Sequence, residues 1–181
     1  MPAQHEATTF AEVTGETSVV INRPADEIYA YLADLTRHPE WVDNVSTVTK
    51  ATAGPIGVGS VFITAEGAPP LPFWQKMNMM RYFIAGLMSG AKPNSEAEIT
   101  ALEPGRRIAW KAGLRKGAGW FNRAEWALIL KPQAGGTQVT QTFRYQPQTA
   151  TAERMVAAGG AEGIAQACNV SLQRLKARLE S

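Results

Sequence analysis

Cysteine is nearly missing from this chain: Cys168 stands alone among 181 residues. An internal disulfide is therefore excluded, and a single thiol fits a reducing compartment. Histidine is almost as scarce, with only His5 and His38. No His/Cys cluster has metal-ligand spacing, so no metal is expected. Charge is thin at 19% of residues and nearly balanced at a formal net +2. A nucleic-acid partner needs basic residues gathered on one face, and none is expected here. No apolar run reaches the roughly 18 residues that cross a bilayer. The polar start, Met1 to Phe10, lacks the apolar core of a secretory leader, which makes the cytoplasm the expected compartment. The sequons at Asn44 and Asn169 then carry no weight. Repeats and long low-complexity tracts are lacking too. No nucleophile–base constellation stands out, and Gly54 to Gly59 joins two strands instead of opening a phosphate-binding helix. No cofactor is expected.

What the chain does have is a series of short ordered elements, at a length suited to one domain. After a polar tail over residues 1–14, the Thr- and Val-rich segment Gly15 to Asn22 predicts a strand. Asn22 is then the expected N-cap of a helix, with Pro24 in its first turn and Asp26 and Glu27 at the positive dipole end. Ile28, Tyr31, Leu32 and Leu35 share one face of that helix. It stops at His38-Pro39, because a residue before proline is pushed out of the helical region. A second short helix is predicted from Pro39 to about Val45. Strands follow at Val45–Ala51, Ser60–Glu66, Ala97–Leu102, Arg107–Leu114, Trp120–Leu130 and Gln138–Tyr145. Glu103-Pro104-Gly105-Arg106 suits a type II turn, and Ala134-Gly135-Gly136 joins the last pair. From Ala150 to Leu179, apolar residues recur at helical spacing, predicting a long amphipathic helix with Gly159-Gly160 as its weak point.

One strand, two short helices, a β-meander and a long helix make an α+β domain. Its economical packing is a curved antiparallel sheet of six to seven strands wrapped around the C-terminal helix. A bent sheet and a helix leave space between them, where small molecules bind. Strand alternation says which side chains face that space. Val139, Gln141, Phe143 and Tyr145 form the inward set of the last strand. Trp120, Asn122, Ala124, Trp126, Leu128 and Leu130 form that of the strand before it, and Ile108, Trp110, Ala112 and Leu114 belong to the hairpin strand. The expected ligand contacts are Trp110, Asn122, Trp126, Gln141, Phe143 and Tyr145, with Ile164 and Cys168 from the long helix. Asn122, Gln141 and Tyr145 either orient a ligand or bond one another, the backbone or water. Trp41 and His38 suit packing at the corner between the short helices, and no catalytic residue is assigned.

Several segments resemble a known family. Val20-Ile21-Asn22-Arg23-Pro24-Ala25-Asp26-Glu27-Ile28-Tyr29-Ala30-Tyr31-Leu32-Ala33-Asp34 with His38-Pro39-Glu40-Trp41-Val42 is similar to the opening of the START-like (SRPBCC, helix-grip) superfamily, in its polyketide cyclase/dehydrase branch. Gly57 to Phe62, Glu103 to Trp110 and Gly136 to Thr140 look like later signatures of that branch. The likeness covers roughly residues 15–66 and 95–146 and extends to the last helix. It implies the helix-grip fold and a cavity for lipids, polyketides or similar aromatic or isoprenoid compounds.

Residues 67–94 have no counterpart in the compact family pattern. On a helical wheel Phe73, Trp74, Met77, Met80, Phe83, Ile84, Leu87 and Met88 share about half the circumference. Phe73, Trp74, Met77, Met80, Ile84 and Leu87 are candidate lid residues over the cavity mouth. The basic border of Lys76 and Arg81 also suits peripheral membrane contact through residues 73–90, and a homodimer contact or an extra core helix accounts for the same face. The expected function is binding of a hydrophobic small molecule, as carrier or sensor. The alternatives are a polyketide cyclase/dehydrase-type enzyme and an interaction module acting through the insertion. The expected inner face carries no carboxylate or histidine to act as a base, which favours binding.

Overall fold

The computed structural model describes residues 11–66, 94–113, 122–147 and 150–181; at residues 66, 94, 122, 123, 151, 152, 155, 156 and 158–161 only the backbone is described. The inserted segment and its candidate lid residues lie outside these, as do Leu114 and Trp120. The order is β1 (Val13–Ile21), α1 (Ala25–Leu32), a 3-10 turn (Leu35–Glu40), β2 (Val45–Lys50), β3 (Val61–Glu66), β4 (Asn94–Glu103), β5 (Arg107–Ala112), β6 (Asn122–Gln133), β7 (Gly136–Pro147) and α2 (Ala150–Glu180). The strands form one antiparallel sheet in the order β1-β7-β6-β5-β4-β3-β2. Every neighbour after the β1–β7 pair is consecutive in sequence, so short connections set the topology.

Several boundaries differ from the sequence reading; α1, for one, ends at Leu32 and not at the His38-Pro39 step, leaving Leu35 to the 3-10 turn. The N-cap of α1 is Pro24, not Asn22, with φ −61° and ψ 147° and no side-chain cap. The Asn22 backbone N–H donates instead to Glu180 Oε1 at 2.7 Å, a partner from the far end of the chain. The second helix is a 3-10 turn over Leu35–Glu40 and not a helix from Pro39. Asp34 nucleates it early, accepting from the Thr36 backbone N–H at 3.0 Å and the Thr36 hydroxyl at 2.6 Å. The turn ends on the His38 carbonyl, which accepts from the N–H groups of Trp41 at 3.1 Å and Val42 at 2.7 Å.

α2 packs against β1 and β7 through Cys168, Ser171, Leu172 and Leu175, all buried. Its C-terminal end is tied to the 3-10 turn by Glu40, which accepts from Tyr31 Oη at 3.0 Å, Arg37 Nε at 3.1 Å and Arg178 Nη2 at 2.9 Å. Burial works against the Glu40 charge, yet these donors together hold its carboxyl below the usual range. Arg174 pairs with Asp43 along the same seam. Beneath the seam, Ile21, Ile28, Leu32, Leu35, Trp41, Leu128, Val139, Leu172 and Leu175 form a tightly buried core. Among the described residues no helix is long and apolar enough to cross a membrane.

α2 runs unbroken through Gly159, Gly160 and Gly163. Gly163 is exposed, and a Cβ added there meets nothing within 4 Å. Gly163→Ala is therefore expected to stabilise the fold by about 0.5–1 kcal/mol, since alanine has less backbone freedom to lose. Urea denaturation checks this, and an unchanged midpoint would mean that α2 is frayed at this turn.

Candidate functional site

The inner face of the sheet is ordered in rows that cross the strands. Trp110, Trp126, Phe143 and Gly15 are register partners on β5, β6, β7 and β1. Trp110 and Trp126 stack at 6.4 Å between centroids, 14° from parallel. Trp126 meets Phe143 at 6.1 Å and Tyr145 at 5.4 Å, the latter edge-on. Such offset and edge geometries are those that aromatic quadrupoles favour. The Phe143 ring lies over Gly15, where any Cβ would overlap it. The glycine is thus the seat of the last ring.

The row beside it is small. Ala97, Ala112, Ala124 and Tyr145 are successive partners, with Phe62 beyond Ala97. Three alanines between two aromatic residues make this the row of smallest side chains on the inner face. On the other side, Ile108, Leu128, Gln141 and Thr17 are partners, followed by Leu130, Val139 and Val19. Burial is graded along the strands. Leu128 and Val139 are fully covered, whereas Trp126 and Tyr145 are only half-buried. The helix follows the same gradient, from Leu172 at 0% exposure through Cys168 at 5% to half-buried Ile164. The aromatic end is also where β3, β5 and β7 end and β4 and β6 begin.

Polar groups in this setting are few. Gln141 is buried, and its Oε1 has no partner among the described residues. Cys168 is a buried thiol whose pKa burial raises to about 11, so it contributes a small apolar surface and not a nucleophile. Strand alternation placed Trp110, Trp126, Gln141, Phe143 and Tyr145 together, and the register brings them together. Asn122 is paired with Pro147 at the start of β6, but its side chain lies outside the described residues.

One member of the inner face departs from the expectation that it holds no histidine. His38 lies 5.1 Å from Trp110 and 5.2 Å from Trp41 between ring centroids. It extends the aromatic row beyond β5, with Trp41 behind it. His38 Nε2 and Trp41 Nε1 are both buried and unpartnered among the described residues. Burial lowers the His38 pKa to about 4, against the opposing field of Asp34, so the ring is neutral near pH 7. The sequence signal was the His38-Pro39 step, but only the early 3-10 turn aims the ring at β5.

An open depression of about 500 Å³ crosses the opposite, outer face. Thr14, Glu16, Arg107, Lys111, Glu125 and Arg144 surround it, while by alternation Trp110, Trp126 and Phe143 turn their rings to the inner side. Its charged rim suits no apolar ligand. No group of three or more potential metal ligands lies together among the described residues.

The crystal structure of the Zhui aromatase/cyclase from a Streptomyces species superposes with a TM-score of 0.66 at 14% identity, over 94% of each chain. A protein from Chromobacterium violaceum gives 0.60 at 19% identity, over 93% of this chain and 97% of that one. Major latex-like protein 151 from Panax ginseng gives 0.62 at 11%, over 92% and 97%. At such identities these likenesses establish the helix-grip fold alone. No protein of curated function matches the chain. The model of one family does match, over residues 12–180. The chain belongs to the polyketide cyclase/dehydrase and lipid transport family.

Proposed function

We propose that this chain binds one apolar, ring-bearing small molecule, of the polyketide, aromatic or isoprenoid kind, and acts in the cytoplasm as its carrier or sensor. The observation that carries the reading is the Trp110–Trp126–Phe143 row, with its first two rings stacked, beside the inward alanines Ala97, Ala112 and Ala124. Flat rings against small residues offer apolar area and a slot of matching shape. Trp126 is the hub of the row, touching Trp110, Phe143 and Tyr145.

The neutral fluorophore N-phenyl-1-naphthylamine tests this. The wild-type chain is expected to bind it one to one, and Trp126→Ala is expected to weaken binding about thirtyfold, the scale of losing ~2 kcal/mol of apolar contact. Mass spectrometry of material extracted from freshly purified protein should show an apolar compound at comparable stoichiometry. Absence of saturable probe binding, or an unaffected Trp126→Ala, would defeat the reading.

A cyclase-type reaction has one observation in its favour, the unpartnered His38 Nε2 on the inner face. Its low basicity argues for hydrogen bonding over proton abstraction, because a base works best with a pKa near the working pH. Turnover of a poly-β-keto substrate that collapses on His38→Gln would reverse this order.

A further inference from the structure

Packing alone does not account for His38. The side chain is 7% exposed, wedged against two tryptophans, and its Nε2 has no partner among the described residues. Phenylalanine would supply the same ring contacts without an orphaned polar atom, whose desolvation is costly. The chain instead presents a neutral imidazole at the end of the aromatic row. Both charged groups on the same turn are already engaged: Arg37 donates to Glu40 and lies 4.2 Å over the Tyr31 ring, and Glu40 also accepts from Tyr31 and Arg178.

We propose, resting on the reading that a ring compound lies along Trp110 and Trp126, that His38 Nε2 anchors a neutral hydroxyl on that compound. The site thereby selects phenols over bare hydrocarbons and over carboxylates. A hydroxyl pairs with Nε2 in either tautomer, accepting from an N–H or donating to the bare nitrogen. A hydrocarbon leaves Nε2 orphaned. A carboxylate needs a donor, and the imidazole meets that need in one tautomer only or by taking a proton in a site where burial opposes charge. The anion itself would also lose its hydration among tryptophan rings.

Calorimetric titration with 2-naphthol, naphthalene and 2-naphthoate at neutral pH separates the two layers of this claim. 2-Naphthol is expected to bind wild type about tenfold more tightly than either relative, the scale of one net hydrogen bond. In His38→Phe the naphthol-to-naphthalene ratio of Kd values should fall to about one. A measurement on unaltered protein accompanies it. The His38 ring nitrogen resonances should shift on saturation with 2-naphthol and stay in place with naphthalene. Equal wild-type affinities for phenol and hydrocarbon overturn the anchor while leaving the ring-binding reading intact. So does a preference that survives in folded His38→Phe, or a His38 resonance that ignores naphthol. If none of the three compounds binds wild type, the ring-binding reading itself fails and the anchor falls with it.

Discussion

Replacing Gly136 by alanine is expected to destabilise the fold by about 3 kcal/mol, although the change adds a single methyl group. Gly136 has φ +137°, a region that residues with a Cβ rarely adopt. The added Cβ would also overlap the Ile21 carbonyl oxygen and crowd Asn22 Cα, both backbone atoms that cannot swing aside. The next residue, Thr137, is fully buried and donates its hydroxyl to the Arg23 carbonyl at 2.8 Å. Easing the overlap means pulling β7 away from the end of β1, which breaks that bond and shifts the pairs Ile21–Thr137 and Val19–Val139. Gly54→Ala is the control. Gly54 also has positive φ, +81°, but a Cβ there meets nothing within 4 Å. It should lose only the conformational part, about 1 kcal/mol. Equal losses in urea denaturation would show that close approach to β1 contributes nothing.

That junction matters to the site because β7 carries its register. The set Val139, Gln141, Phe143 and Tyr145 was legible in the sequence, since the apolar Val139, Phe143 and Tyr145 all fall on one alternate set of β7 positions. The turn glycines Gly105 and Gly135 were legible for a similar local reason, and both have positive φ. What was not legible depends on partners distant in sequence. Asn22 looked like a cap, but its N–H is taken by Glu180. The row of alanines appears only once β4 is set against β5, and the register there shifts between Ile99 and Ala101. That irregularity decides that Ala97 faces Ala112. His38 is the sharpest case. Nothing local separates a histidine that packs the helical corner from one that reaches β5. Its meeting with Trp110 follows from a 3-10 turn begun by Asp34, five residues before the proline that seemed to start the helix.

The same histidine makes the stability of the chain depend on pH in a window where few other groups titrate. Burial lowers its folded pKa to about 4 from the ordinary imidazole value of 6.5, and Asp34 offsets only part of this. The unfolded state therefore binds the proton more readily than the folded state does. The His38 contribution is complete above about pH 6.5, where both states hold neutral imidazole, and is lost as pH falls toward the folded pKa. Between those limits the wild-type chain should lose about 3 kcal/mol of stability, at about 1.4 kcal/mol per unit of displacement. Glu40 adds a loss of its own at the acid end, because its pKa lies below the usual value. His38→Phe separates the two, keeping the Glu40 loss while removing the one centred on the imidazole. The stability of wild type relative to the variant, followed by urea denaturation across the window, should fall steadily on acidification. A constant difference would mean that the ring is solvated, and the His38 ring resonances, titrated directly in the folded wild type, would then report a midpoint near 6.5. A site that keeps an imidazole uncharged between two tryptophans at this cost in acid tolerance uses it as a neutral hydrogen-bonding group, which is the property a hydroxyl-bearing ligand would exploit.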